Sequence, residues 1–418
     1  MLASFHTAAL AVFVAALALA PVARAAQEKP PAPGGAPLLR GAERAKRTVV
    51  ASVVDVGQID VHGYGASFAV ERDLASTDAT APAETLRVGW EEMAPERTAR
   101  FRSGERVLVA LEPLPGYSLW HQRFPQGGAL AVAEHGTAFL RDPDDATIAS
   151  LARFLRVDPT EREQAPGVEA LAGIVATAMD PLAEGAVQRL VAIPGLGSKL
   201  RQPAAALLGE AIANPARPLS LRRDLLRLAA AHRLDDMRDA ILPVAEGGPP
   251  LAGEAWAAIV AIDGALPVET VRRLLVSADP GVRAVAARNA VGTSEAARAL
   301  ALARSDPAPE VRIAVVESFV PEGGNDALEV GYAALFDREP AVRAAAAQVV
   351  GGRGADVVPH LRELALARSG RDANGPLGAL AFAGSEGQGA LLELSQTHPD
   401  AATRGQARLL LGLDPRKP

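Results

Sequence analysis

Seven histidines are the side chains of this 418-residue chain best suited to hold a metal or move a proton, at positions 6, 62, 121, 135, 232, 360 and 398. A helical metal or general-base site needs H-x-x-x-H or H-E-x-x-H, which brings both rings to one helix face, and no pair has that spacing. His62, His121 and His135 share a strand-rich stretch in which alternation puts Asp60 and His62 on one face. A three-histidine metal site is one reading of them; solvated or hydrogen-bonded histidines are the preferred one. No G-x-S-x-G marks a nucleophile elbow, and the absence of cysteine excludes thiolate nucleophiles and thiolate metal sites. IPGLGSKL from Ile193 lacks the phosphate-loop spacing, so Gly195, Gly197 and Ser198 read as the break between one helix and the cap of the next. Glu91-Glu92 and Asp235-Asp236 are adjacent in sequence, and helix or strand geometry turns such side chains apart. The sequence therefore predicts no catalytic residues, no metal and no cofactor, and a protein that is not an enzyme.

Aromatic residues give a better candidate for binding. PLPGYSLWHQRFPQGG, from Pro113 to Gly128, has the glycine and proline content of a loop yet holds Tyr117, Trp120 and Phe124 with His121 and Arg123 between them. These five residues are the candidate ligand or partner site; closure of a barrel end by the same aromatics, with Trp90, is the alternative. Trp256 and Tyr332 stand out from an alanine-rich background, and core filling is expected of Trp256.

Four segments must position these groups. Ala8–Ala20 is an apolar run of 13 followed by Ala23-Arg24-Ala25, which predicts a signal peptide over residues 1–25 and export, most simply to a periplasm. An uncleaved anchor is the alternative, since the leading residues carry no Lys or Arg. Cleavage would remove Arg24 and leave 42 basic against 49 acidic residues, a formal charge of −7. With its densest basic cluster confined to Arg40, Arg44, Lys46 and Arg47, the chain is not expected to bind nucleic acid, nor to stay inserted in a membrane. Residues 26–45, rich in Pro, Gly and Ala, predict a flexible linker. Residues 46–142 carry short runs with β-branched residues between turn signals, and predict a small all-β barrel or sandwich. From 144 to 415 amphipathic helical segments follow one another, with aromatics only 4% of the chain and alanine dominant.

The helical part repeats itself. DPGVRAVAARNAVG from Asp279 returns as DPAPEVRIAVVESF from Asp306 and as REPAVRAAAAQVVGG from Arg338. Arg283, Arg312 and Arg343 are 29 and 31 residues apart, and Arg404 follows 61 residues later, with Pro376 in the intervening copy. Backward, Glu254 and Arg222 occupy the position. A period near 30 holds two helices whose apolar stripes can be buried only by stacked neighbours, which predicts a solenoid. Ala286-Ala287, Ala346-Ala347 and Ala204-Ala205-Ala206 fall on the packing face, and Asp279 and Asp306 are expected to cap the motif helices ahead of Pro280 and Pro307.

The motif D-P-x-V-R-x-x-A-A at this period resembles HEAT repeats of the short bacterial type also found in phycobilisome-lyase-like proteins. The resemblance covers 201–413, with degenerate copies over 144–200. It implies that the motif arginine is structural, pairing with an aspartate between neighbouring repeats: Arg283, Arg312 and Arg343, with Asp279, Asp306 and Asp337 as partners, interrupted at Glu254 and Pro376. Phe68-Ala69-Val70-Glu71-Arg72, then Gly104–Leu111 and Tyr117, weakly resemble the strand order of OB-like or Greek-key barrels in secreted bacterial proteins. The expectation is thus a mainly α protein, a right-handed HEAT-like α-α superhelix preceded by a small β barrel, acting as an exported non-catalytic scaffold or adaptor that binds a protein or peptide on its concave face. The alternatives are an enzyme accessory subunit, or a β domain that binds a sugar, metal or cell-wall ligand with the solenoid as spacer. Bilin attachment, an activity in relatives of this repeat type, is disfavoured by export and by the lack of cysteine.

Overall fold

A computed structural model describes residues 35–59, 63–74, 84–91, 101–114, 129–322 and 324–415. The chain is mainly helical, with a β barrel ahead of all but one of the described helices, and divides into two compact units, 29–247 with 257–264 and 248–256 with 265–418. The predicted signal peptide, residues 1–25, lies outside the described residues, as do Tyr117, Trp120, His121, Arg123 and Phe124.

In the first unit the strand-forming runs become β1 (Arg47–Gln58), β2 (Gly63–Asp73), β3 (Thr85–Glu91), β4 (Arg106–Pro113), β5 (Leu130–Val132) and β6 (Phe139–Arg141). β1, β2 and β3 pair antiparallel, β5 lies parallel to β3 and antiparallel to β4, and β4 returns to β1. The sheet therefore closes on itself in the order β1-β2-β3-β5-β4-β1, with β6 added beside β4. Register shifts at Val50/Ala51 and Val53/Asp55 bend β1, and such bulges let one strand serve two neighbours around a tight barrel. Inside, Phe101 meets Phe68, Trp90 and Phe139 edge-on with ring centroids 4.9–5.1 Å apart, among valines and leucines of the barrel strands. Trp90 is only 3% exposed and stacks on Tyr64, so it belongs to the barrel core. GALAVAEHGTAFL is two short strands and not one run, because Glu134 and His135 take left-handed backbone angles in the turn Ala133–Gly136.

The expected flexible linker is corrected at its end: Gly35–Arg44 is a helix. Leu38, Leu39 and Ala42, spaced three and four apart, are buried on its inner face. This helix packs on β4 and β6 of the barrel and also on the helix Asp180–Val191. Gly41 permits the close approach, since a Cβ there would stand 2.7 Å from the Ala138 methyl. At its end the Glu43 carboxylate accepts from Arg189 Nε at 3.2 Å, and its carbonyl accepts from Arg162. The sequence places a boundary at 142–144; packing instead joins the barrel to the helices Asp145–Leu155, Ala165–Thr177, Asp180–Val191, Gln202–Ala213, Leu219–His232 and Arg238–Glu246 within one unit. Ala204 and Ala205 are buried as expected of small packing residues, whereas Ala206 faces solvent.

In the second unit helices alternate in pairs: Val268–Leu274 with Pro280–Asn289, Ala296–Ser305 with Pro309–Phe319, Asn325–Ala334 with Pro340–Gly351, Val358–Leu366 with Asn374–Phe382, and Gly384–Thr397 with Ala401–Leu410. The second helix of each pair packs against the second helix of the next, in chain order. Valines, leucines and small residues fill these contacts; Val282, Ala286, Val311, Val315, Val342 and Ala346 are all buried. Trp256 is 4% exposed beneath the Arg273 guanidinium and fills core.

Candidate functional site

The polar side chains that recur in the second unit converge on the loop ahead of each motif helix. Each motif arginine, buried or half-buried, points its Nη1 back at two carbonyls of that loop. Arg283 donates to Ser277 and Ala278 at 2.7 and 3.0 Å, and Arg312 to Asp306 and Pro307 at 2.8 and 3.2 Å. Arg343 donates to Asp337 and Arg338 at 2.7 and 3.0 Å, and Arg404 to His398 and Pro399 at 2.6 and 3.0 Å. A guanidinium can do this because its five N–H groups form a rigid fork, so one corner is fixed while the opposite edge stays open for a second partner.

Two arginines use that edge to grip the following repeat. Arg283 Nε and Nη2 donate to the Asp306 carboxylate at 2.7 and 2.9 Å, and Arg312 does the same to Asp337, both at 2.8 Å. The Arg312 side chain is 3% exposed and that of Asp337 12%. Such desolvated charges are sustained only by two-point geometry with the remaining lone pairs filled. Here Ala308 N–H and Glu339 N–H fill them at 2.9 and 2.8 Å. Burial alone would raise the Asp306 and Asp337 carboxyls, but the arginine and backbone donors outweigh it and hold both below the ordinary carboxylate range.

The pairing differs from the expectation in three respects. Asp279 is no partner of Arg283; it caps its own helix, accepting from Gly281 and Val282 N–H at 2.7 and 3.2 Å, with Pro280 in the first turn. Asp306 is no helix cap, because the helix begins at Pro309 and Asp306 stands farther from the arginine. Arg343 makes no ion pair with Asp337, whose side chain belongs to Arg312. The distinction is a matter of counting: the residue four before the arginine holds the N-cap position, and the residue six before it faces the preceding repeat.

That second position also contains a group the sequence reading missed. His398, 1% exposed, stands six before Arg404, accepts Asp400 N–H on Nδ1 at 3.1 Å and lies 3.1 Å through Nε2 from the Ala365 carbonyl. Ser277 does likewise ahead of Arg283, its hydroxyl oxygen taking Asp279 N–H at 3.2 Å. In the first unit Arg217 was equally unforeseen. It donates to the Val175, Ala176 and Ala178 carbonyls and to Asp180, satisfying the free end of the helix Ala165–Thr177.

Among the described residues no three His, Asp or Glu side chains gather as metal ligands. His135 is exposed on its turn, and His62 and His121 are outside the described residues. Gly195 takes a left-handed conformation ahead of the turn Leu196–Lys199, with the Ser198 hydroxyl returned to its carbonyl at 2.8 Å. Tyr332 packs against His360 with ring centroids 4.4 Å apart, and its burial raises the phenol. No helix among the described residues is long and apolar enough to cross a membrane. Compared with protein-family models the chain matches none, and no curated protein matches it significantly.

Proposed function

We propose that the protein is an exported, non-catalytic scaffold or adaptor whose helical pairs form a HEAT-like solenoid, with a concave face of second helices that receives a protein or peptide. One observation carries this reading: the polar groups that recur with the period are spent on the repeats themselves, arginine to carbonyl and arginine to the next carboxylate. What is left exposed on the second helices changes from copy to copy. Five residues beyond Arg283, Arg312, Arg343 and Arg404 stand Arg288, Glu317, Gln348 and Leu409, all solvent-facing. A surface of uniform spacing and variable chemistry suits recognition of an extended partner. The apolar run and Ala23-Arg24-Ala25 support export. The strand order β1-β2-β3-β5-β4-β1 supports the OB-like reading of the barrel.

The test uses the full chain immobilised against extract of the compartment in which it is found. A defined partner should be retained at fixed stoichiometry, and the triple variant Arg288→Ser, Glu317→Ser, Gln348→Ala should release it while melting like the parent. Retention of nothing defined, or of the same set by the triple variant, would overturn the proposal.

A further inference from the structure

The matching of arginine to acceptor in the second unit follows a rule with one exception. Where a repeat offers an arginine, the next supplies a carboxylate: Arg283 to Asp306, Arg312 to Asp337. Where a repeat has Glu254 or Pro376 in the arginine's place, the next supplies Ser277 or His398, each engaged by the N–H two residues on. Cation and carboxylate are present together or replaced together. Of the second unit's motif arginines that are followed by another repeat, Arg343 alone keeps the cation without the carboxylate.

Its guanidinium is nonetheless held like the others, with Nη1 on the Asp337 and Arg338 carbonyls. Among the described residues nothing accepts from Nε or Nη2, the edge that grips a carboxylate in Arg283 and Arg312. The segment in the corresponding place, residues 366–370, contains no Asp or Glu. Asp372, just beyond it, is exposed and forms no ion pair with Arg343. The segment carries a second cation instead: the Arg368 guanidinium lies 5.0 Å from the centre of the Phe336 ring, next to Asp337. Gly370 has φ +57° and a Cβ built on it would meet nothing within 4 Å, so the space beside the loop is open.

We propose that the open edge of Arg343, with Arg368 as its second cation, is a binding site for a carboxylate, supplied by an acidic side chain of the partner, which completes the rung the chain itself omits. The two intact rungs set the chemical class, a planar acceptor taken at two points at 2.7–2.9 Å. That the carboxylate belongs to a partner rests on the adaptor reading; the affinity of the fork for a carboxylate does not.

The arginine Nε–H resonances of the full chain separate the two. Acetate should shift the Arg343 signal saturably and carry Arg368 with it, leaving Arg283 and Arg312 in place, while chloride at matched ionic strength does not. Arg368→Asp sets a carboxylate 25 residues after Arg343, the spacing of Arg312 and Asp337. In that variant the Arg343 signal should sit near that of Arg312 and ignore acetate. Arg343→Lys keeps the charge without the fork and should abolish the Arg368 response, so the test stands even if Arg368→Asp fails to fold. An Arg343 signal unmoved by acetate, moved equally by chloride, or moved only by inorganic phosphate overturns the site. Partner capture left unchanged by Arg343→Lys, with the parent's acetate response intact, would instead remove the partner as the bearer of the carboxylate.

Discussion

Arg312 and Arg343 hold the same place in successive repeats, yet their removal should cost different amounts. Arg312→Ala strands the Asp337 carboxylate in a site 12% exposed, and removing one member of a buried pair costs about 3 kcal/mol or more. Arg343→Ala forfeits its two carbonyl contacts and leaves no buried charge behind, a loss of about 1 kcal/mol. Urea denaturation of the two variants checks the ordering. Acid should act through a carboxylate of a different kind, a helix cap. Asp400, holding the Thr403 hydroxyl, Thr403 N–H and Gly370 N–H, titrates at about 2. A carboxyl depressed in the folded state contributes stability that is present above its unfolded pKa and lost as pH falls through the folded one. Stability should therefore decline from about pH 4 toward pH 2, and less so in Asp400→Asn; equal slopes in acid titrations of the two would contradict this. That arginine and aspartate pair between repeats was implied by the resemblance to HEAT repeats that the V-R motif carries. Which aspartate was not, because Asp279 and Asp306 both precede proline, and only the distance to the arginine separates cap from rung. His398 was invisible because a histidine replaces aspartate there by accepting a backbone N–H, a likeness of geometry and not of residue type.

At the scale of elements, glycine marks where helices touch most closely. A Cβ on Gly351 would lie 2.2 Å from the Ala379 carbonyl oxygen, and one on Gly375 2.1 Å from that of Leu335. Gly351→Ala should thus cost about 1–3 kcal/mol through overpacking despite alanine's better helix propensity, and a thermal melt unchanged or raised would contradict the contact. The helix Gly35–Arg44 gives the complementary case. If it were a tether, Leu38→Ala would be silent; as a packed helix with Leu38 fully buried it should lose about 2–5 kcal/mol, read by denaturation followed through barrel tryptophan fluorescence. The barrel strands and the paired helices were legible because alternation and three-four spacing each dictate one periodicity. The helix at 35–44 was not, since one proline and two glycines dominate its composition while only Leu38, Leu39 and Ala42 carry its buried face. The candidate loop at Tyr117–Phe124 lies outside the described residues, so the site reading now rests on the repeat itself.

For the molecule as a whole, each helical pair of the second unit is stabilised by its neighbours, and three successive pairs are further joined by the Arg283–Asp306 and Arg312–Asp337 rungs. Hydrogen exchange on Arg312→Ala tests this most directly. Amide protection should fall in the two pairs that the rung joins, Ala296–Ser305 with Pro309–Phe319 and Asn325–Ala334 with Pro340–Gly351, while the barrel strands and the helix Gln202–Ala213 keep theirs. Protection lost evenly along the chain, or lost only within Pro309–Phe319, would contradict it.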